Sequence, residues 1–313
     1  MTMARRNITR MRFLIDVSSS GTSYHTIDLW KALSAQERKM FRQMQTCHIV
    51  GGLVHDSNQN AYARFNVAPD TWYTKASIRR AFRLWKKQRS MALTEAGAGI
   101  SAGKYSDFKV FLNNVHGVGT LMPRDAQGNT IPAGEWDYTT LVSEDKNWAD
   151  PTIGTSANMV SDKFELQIVG DSHINGSGAG QDMWSRISLI KSWIDTRGGQ
   201  DSNGTPDLPP TLVTDPLANL FDEVDANDEI LELVDTEGDR PPYDEDNLMG
   251  YAETQGSANN LQRMALAHTS SSNPTVRFSG FSAICGLVQV QLTTSDAGQV
   301  EIIMDVLHDG DRI

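Results

Sequence analysis

Eight short runs of this chain alternate apolar and polar residues, and little between them repeats with the period of a helix. The runs are 12–17, 47–54, 61–67, 108–115, 136–142, 164–169, 276–292 and 300–307. A period of two sends every second side chain to one face, as with Val300, Ile302, Met304 and Val306 in the last run. Turn-forming clusters separate the runs: Asp56-Ser57-Asn58, then residues 125–129, 176–180 and 295–298. Residues 187–194 fit a strand or a helix about equally. Strands with one apolar face must pair and bury that face, so the chain is expected to be mainly β. They do not alternate regularly with helices, which disfavours a doubly wound parallel sheet. The expected architecture is a single jelly-roll antiparallel β-sandwich with a few helices and a long acidic insertion.

Two helices stand out. Residues 35–45 follow Ser34, with Glu37 three positions on, the spacing of a capping box. Residues 75–89 form the other. No internal repeat is visible.

Charge is sorted along the sequence. The first hundred residues carry sixteen Lys/Arg against six Asp/Glu, whereas residues 199–250 carry fifteen acidic side chains against the single basic Arg240. The overall −11 hides this division. Such a chain can show opposite polarities on different surfaces, toward a polyanion or toward copies of itself. The acidic block is bounded by prolines but contains Leu217, Leu220, Phe221, Val224, Ile230, Leu231 and Val234. It therefore reads as an ordered insertion or a small helical excursion. No apolar run approaches the ~18–20 residues that span a bilayer, and no apolar signal segment follows the basic start. Neither a membrane association nor that secretory route is expected. Cys47 and Cys285, both in apolar surroundings, read as buried reduced thiols of a reducing compartment.

The helix at 75–89 holds seven basic residues, Lys75, Arg79, Arg80, Arg83, Lys86, Lys87 and Arg89, and no acidic one. At ~100° per residue Ile78, Phe82 and Trp85 share one stripe, while Arg79, Arg83, Lys86 and Lys87 share another. The apolar stripe would dock on a sheet and leave a cationic ridge able to neutralise phosphates without reading sequence. Trp72 and Tyr73 could stack on unpaired bases. Arg5, Arg6, Arg10 and Arg12 form a short basic arm of the same character. The plainer alternative for the helix is a solvated amphipathic face, though such faces usually mix signs.

Other constellations carry less. Gly170-Asp171-Ser172 after a strand, with Asp305 and His308 late in the chain, resembles the serine, aspartate and histidine of GDS-type (SGNH) hydrolases. That family is α/β and carries a Gly-x-Asn-Asp block; the Asn227-Asp228 here lacks the glycine. The segment 98–104 departs from a phosphate-binding loop at Tyr105 and reads as a Gly/Ala hinge. The seven histidines show no metal spacing, and His48 and His55, seven apart on a strand, should face opposite ways. Acidic residues 222–232 lack the pattern of a calcium loop. No catalytic residue, metal site or cofactor is expected.

The run from Gly280 through Cys285 to Leu292, followed by a short loop and a last strand ending at Leu307, resembles the C-terminal strands of capsid proteins. The nearest likeness is to those of small circular Rep-encoding single-stranded DNA viruses, including bacilladnavirus-like groups. The stretch Asp239-Arg240-Pro241-Pro242-Tyr243, continuing to Asn247, is similar to insertions in such capsids. The likeness covers mainly residues 160–313. It implies a jelly roll, self-assembly into an icosahedral shell, an enclosed single-stranded genome, and a place in the virion after assembly inside the host cell. The arm is shorter than in many such capsids, which throws genome contact onto the 75–89 helix.

The expected organisation is a basic arm at 1–12, a jelly-roll body at 13–198, the acidic insertion at 199–260 and completing strands at 261–313. The expected function is a coat subunit whose partners are its own copies and single-stranded nucleic acid. The alternatives are a hydrolase using Ser172, Asp305 and His308, and a non-viral β-sandwich binding module, for example for carbohydrate.

Overall fold

The structure of the protein, a computed structural model, describes residues 6–57, 60–95, 103, 105–144, 161–170, 173–175, 183–190, 192 and 261–309. In chain order its elements are β1 (Arg6–Val17), β2 (Gly21–Asp28), α1 (Leu29–Glu37), β3 (Cys47–Asp56), β4 (Ala61–Val67), α2 (Trp72–Glu95) and α3 (Asn114–Val118). There follow β5 (Thr140–Glu144), β6 (Ser161–Gln167), β7 (His173–Asn175), β8 (Met183–Ser188), β9 (Gln262–His268), β10 (Thr275–Ala283), β11 (Leu287–Thr294) and β12 (Gly298–Asp309).

Eight of the strands make two four-stranded sheets, in the orders β1-β12-β3-β10 and β2-β11-β4-β9. Every neighbouring pair in them is antiparallel. The protein is thus mainly β with few helices, as the alternating runs imply. Both sheets feed one core: Met11, Phe13, Ile302 and Met304 from the first, Ala63, Phe65, Val288, Val290 and Leu292 from the second. The Phe65 ring lies 4.4 Å from that of Phe278, joining the two sheets. Each fully buried side chain of this size contributes about 1.5–3 kcal/mol.

Between β4 and β9 the chain leaves these sheets. There α2, α3 and a small mixed sheet, ordered β5-β6-β8-β7 with β6 and β8 parallel, surround a second core. Phe108, Val110, Leu112, Leu141, Leu166, Ile168 and Ile190 fill it, together with Ile78 and Ala81 of α2. Ile284, just before β11, and Leu287 at its start belong to it too, so the insertion sits against one end of the main sheets.

Several expected elements move. The run 276–292 is two strands joined by a 3₁₀ turn at Ile284–Gly286 that carries the chain from the first sheet to the second. Gly286 turns with a φ of 66° beneath the Trp30 ring, where an added Cβ would lie 2.6 Å from a ring carbon. The helix expected at 35–45 is instead α1, capped by Asp28, whose carboxylate accepts from the Lys31 N–H at 3.1 Å. Ser34 lies inside it and donates back to the Trp30 carbonyl at 2.6 Å. In place of a strand at 108–115, Phe111 and Leu112 bond to backbone groups of 166–169, and Asn113 then caps α3. Only Thr140–Glu144 of the 136–144 region is strand. Residues 187 and 188 end β8, while the described residues 189, 190 and 192 are helical. The expected arm at 1–12 is strand from Arg6 onward, and the acidic segment 199–260 lies outside the described residues.

One irregularity matters for side-chain direction. Against β12, β3 holds an extra residue, Val50, between Gly51 and Ile49. The bulge inverts the alternation, so Ile49 and Val54 both face the core. His48 and His55 consequently both point away from it, not to opposite faces. They bond to Ser282 and Thr275 on β10, each at 2.8 Å.

Candidate nucleic-acid interface

Helix α2 begins after Asp70-Thr71. The Thr71 hydroxyl accepts from the Thr74 N–H at 3.1 Å, which satisfies a free donor of the first turn. Asp70 forms an ion pair with Lys75 and supplies the negative charge that a helix N-terminus favours. The apolar stripe docks as its spacing requires: Ile78 is buried, and the rings of Phe82 and Trp85 lie 5.7 Å and 5.9 Å from that of Phe108. Gln88 clamps the backbone of Val142 on β5, donating to its carbonyl at 2.7 Å and accepting from its N–H at 3.3 Å. The helix is therefore fixed along its length.

Arg79, Arg80, Arg83, Lys86 and Lys87 are exposed on the opposite side. Trp72 is 54% exposed and, by helical phase, stands in line with Arg79 and Arg83. Tyr73 is 1% exposed and has no ring face to offer a base. Arg89 is turned inward over the Trp85 ring, 5.5 Å from its centroid, and bonds to Ser106 and Gly103. Of the seven basic residues, five make the ridge, while Lys75 and Arg89 hold the helix in place.

The N-terminal arginines belong elsewhere. Arg10 holds Asp305 through two bonds of 2.7 Å and 2.9 Å, and Arg12 holds Glu301. Both pairs cross from β1 to β12. The Arg10 guanidinium keeps the Asp305 carboxyl below its ordinary range through hydrogen bonding and charge. Arg5 lies outside the described residues, as does the Arg6 side chain.

The hydrolase constellation does not come together among the described residues. Asp305 and His308 are three apart on β12, which puts them on opposite faces, and Asp305 is taken by Arg10. His308 instead bonds to the Thr9 hydroxyl at 2.9 Å and meets the Phe41 ring edge-on. Asp171, Ser172 and most of 98–104 lie outside the described residues, as do acidic residues 222–232. Among the described residues no group of His, Cys, Asp or Glu could hold a metal, and no helix is long and apolar enough to cross a membrane.

A buried polar centre escaped the sequence. The Asp28 carboxylate caps α1 and also accepts from Gln43, Trp136 and Tyr138, each at 3.1 Å. Tyr138 in turn bonds to His116 at 2.7 Å, and the other ring nitrogen of His116 accepts from the Leu112 N–H at 2.9 Å. That N–H fixes the tautomer: Nε2 carries the hydrogen and donates to the Tyr138 oxygen, while the Tyr138 hydroxyl donates to Asp28. Burial pushes the Asp28 carboxyl up to about 6, against the pull of its donors. Burial, helped by Lys31 and Arg186, pushes His116 down to about 3. The centre ties the insertion carrying α2 to the end of β2. Nothing in the spacing of these distant residues announces it.

The chain matches no family model, no curated protein and no solved structure.

Proposed function

We propose that the chain is a viral coat subunit that assembles with its own copies into an icosahedral shell around single-stranded nucleic acid. The observation that carries this reading is the strand order. Numbered consecutively, the eight strands of the main sheets run 1-8-3-6 and 2-7-4-5. That order supports a jelly-roll sandwich, an architecture common among capsid proteins but shared with lectins and cupins. The fold therefore needs a second support, and the ridge supplies it: five cations of one sign on a helix anchored at both faces of its apolar stripe.

In this reading the sandwich is the rigid wall and α2 faces the lumen. Genome contact falls on Arg79, Arg80, Arg83, Lys86 and Lys87, with Trp72 beside them. Arg10 and Arg12, engaged by carboxylates, contribute little to it.

Electron microscopy of purified protein tests the reading. Uniform, roughly spherical particles are expected, with a nucleic-acid content that falls when Arg79, Arg83, Lys86 and Lys87 are changed to Glu. A chain that stays monomeric at every ionic strength, or particles whose content ignores those changes, would overturn it.

A further inference from the structure

The outer faces of the two main sheets treat arginine differently. On the first sheet, Arg10 and Arg12 each have a carboxylate partner on the adjoining strand. On the second, Arg64 of β4 is half-buried and has no ion-pair partner among the described residues. An arginine drawn into a protein surface is ordinarily matched by a carboxylate or another anion. Among the described residues Arg64 is matched by neither.

Its surroundings follow from the register. Gln291 of β11 pairs with Arg64 and with Tyr24 of β2; in the next row Thr293 pairs with Tyr62 and Thr22, and Tyr62 with His268. On the other side lies the row of Thr26, Gln289, Asn66 and Arg263. These three rows contain no acidic side chain. The Arg64 guanidinium stacks 4.8 Å above the Tyr62 ring, and that ring meets His268 edge-on at 5.7 Å. Arg64 reaches Gln291 only at 3.4 Å, and Gln291 reaches the Tyr24 hydroxyl at 3.5 Å, both long bonds that a better acceptor could displace.

The same face concentrates unmet hydrogen bonding. Nε of Arg64, Nδ2 of Asn66, Oγ1 of Thr26 and both side-chain polar atoms of Gln289 are buried without a partner. Such atoms are rare in a finished structure, and four of these five can donate. Arg64, Asn66 and Gln289 stand on the central strands β4 and β11, held by ladders on both sides, and Thr26 on the edge strand β2. Thr26, Gln289 and Asn66 are themselves buried, so Arg64 is the member of the set that reaches the surface.

We propose that this face is a binding site for an acidic sugar, a hydroxylated ring bearing a carboxylate or sulfate that Arg64 engages. The planar guanidinium fits a carboxylate or sulfate side-on. The half-exposed phenols of Tyr24 and Tyr62 offer ring faces and hydroxyls to the rest of the sugar. The side chains of Gln291, Thr22 and Thr293 both donate and accept, as hydroxyls do. In a shell, the site would serve recognition of a surface outside the particle, but it does not depend on the coat reading.

Binding of sialyllactose, a heparin-derived hexasaccharide, lactose and sodium sulfate to the full-length protein tests this. At least one acidic probe should bind tenfold or more tightly than lactose and sodium sulfate. Arg64→Gln should reduce that binding at least tenfold. Arg64→Lys keeps the charge and stem and guards against misfolding; it should weaken binding less, through loss of the planar fork. Arg79→Glu with Arg83→Glu, which reverses ridge charge, should leave sialyllactose binding unchanged. Equal binding by the Arg64 variants would overturn the site. So would loss that tracks the ridge, sodium sulfate binding as tightly as the sugar, or displacement by a single-stranded oligonucleotide that itself requires Arg64.

Discussion

Gly280 of β10 lies against the Val50 carbonyl so closely that a β-carbon at residue 280 would stand 2.4 Å from that oxygen. The backbone of Ile49 is nearly as close, at 2.6 Å, so neither atom is a side chain that could swing aside. Gly280→Ala should therefore cost about 1–3 kcal/mol, the ordinary penalty of overpacking, and lower the urea midpoint without changing the slope. A midpoint equal to the parent protein's would mean that the bulge does not require glycine.

The same bulge shows where the sequence was legible and where it was not. β4 (Ala61, Ala63, Phe65, Val67) and most of β12 (Val300, Ile302, Met304, Val306) have apolar inward positions, and their alternation gives them away; β3 shows the same pattern on either side of its bulge, at Cys47, Ile49 and Val54. β2 hides because its inward side includes Ser23 and His25 beside Ile27. β9 hides because its pairing slips near Met264, between Phe65 and Asn66 on the partner strand. The face of His55 depends on one extra residue, Val50, five positions back, which a strict period of two cannot register. The apolar stripe and exposed ridge of α2 were readable because both are local properties of one helix. The pairing of Arg10 with Asp305 joins residues at opposite ends of the chain, and so does not show in composition.

That pairing yields a prediction about the N-terminal cations. Arg10 is already held by Asp305, and Arg12 by Glu301, in pairs at the surface. Arg10→Gln with Arg12→Gln should shift the urea midpoint only slightly, as for other exposed pairs. Nucleic-acid content of purified particles, measured by absorbance ratio, should stay at the parent value. A fall as large as that caused by charge reversal on α2 would return these arginines to the interface.

Asp28 and His116 sit at the two ends of one hydrogen-bonded chain and respond to acid with opposite signs. The Asp28 carboxyl, raised to about 6, takes up a proton in the folded state before it does so unfolded. Between pH 6 and 4 this group makes folding more favourable as pH falls. His116, lowered to about 3, stays neutral when folded while the unfolded side chain charges below about 6.5. This group makes folding less favourable over the same interval. The two slopes, each about 1.4 kcal/mol per pH unit at most, should largely cancel between pH 6 and 4. Asp28→Asn should expose a steep loss of stability with acid, and His116→Gln a gain. Chemical denaturation at pH 4, 5, 6 and 7 reads both, and parallel profiles for the two variants would refute the assignment.

The ridge makes the most quantitative prediction. Five exposed cations on α2 that each neutralise one phosphate of a single strand would release a corresponding set of counterions. The logarithm of affinity should then fall against the logarithm of salt concentration with a slope of about −3.5. Raising salt from about 50 to 200 mM should weaken binding about a hundredfold. Arg83→Gln and Lys87→Gln together should bring the slope to about −2, since each removed contact takes its own counterion with it. Trp72→Ala should act differently: stacking carries no charge, so affinity should drop while the slope is retained. Fluorescence anisotropy with a labelled oligonucleotide across a salt series separates the two effects. A slope that is already shallow in the parent protein would show that phosphates are not what these side chains meet.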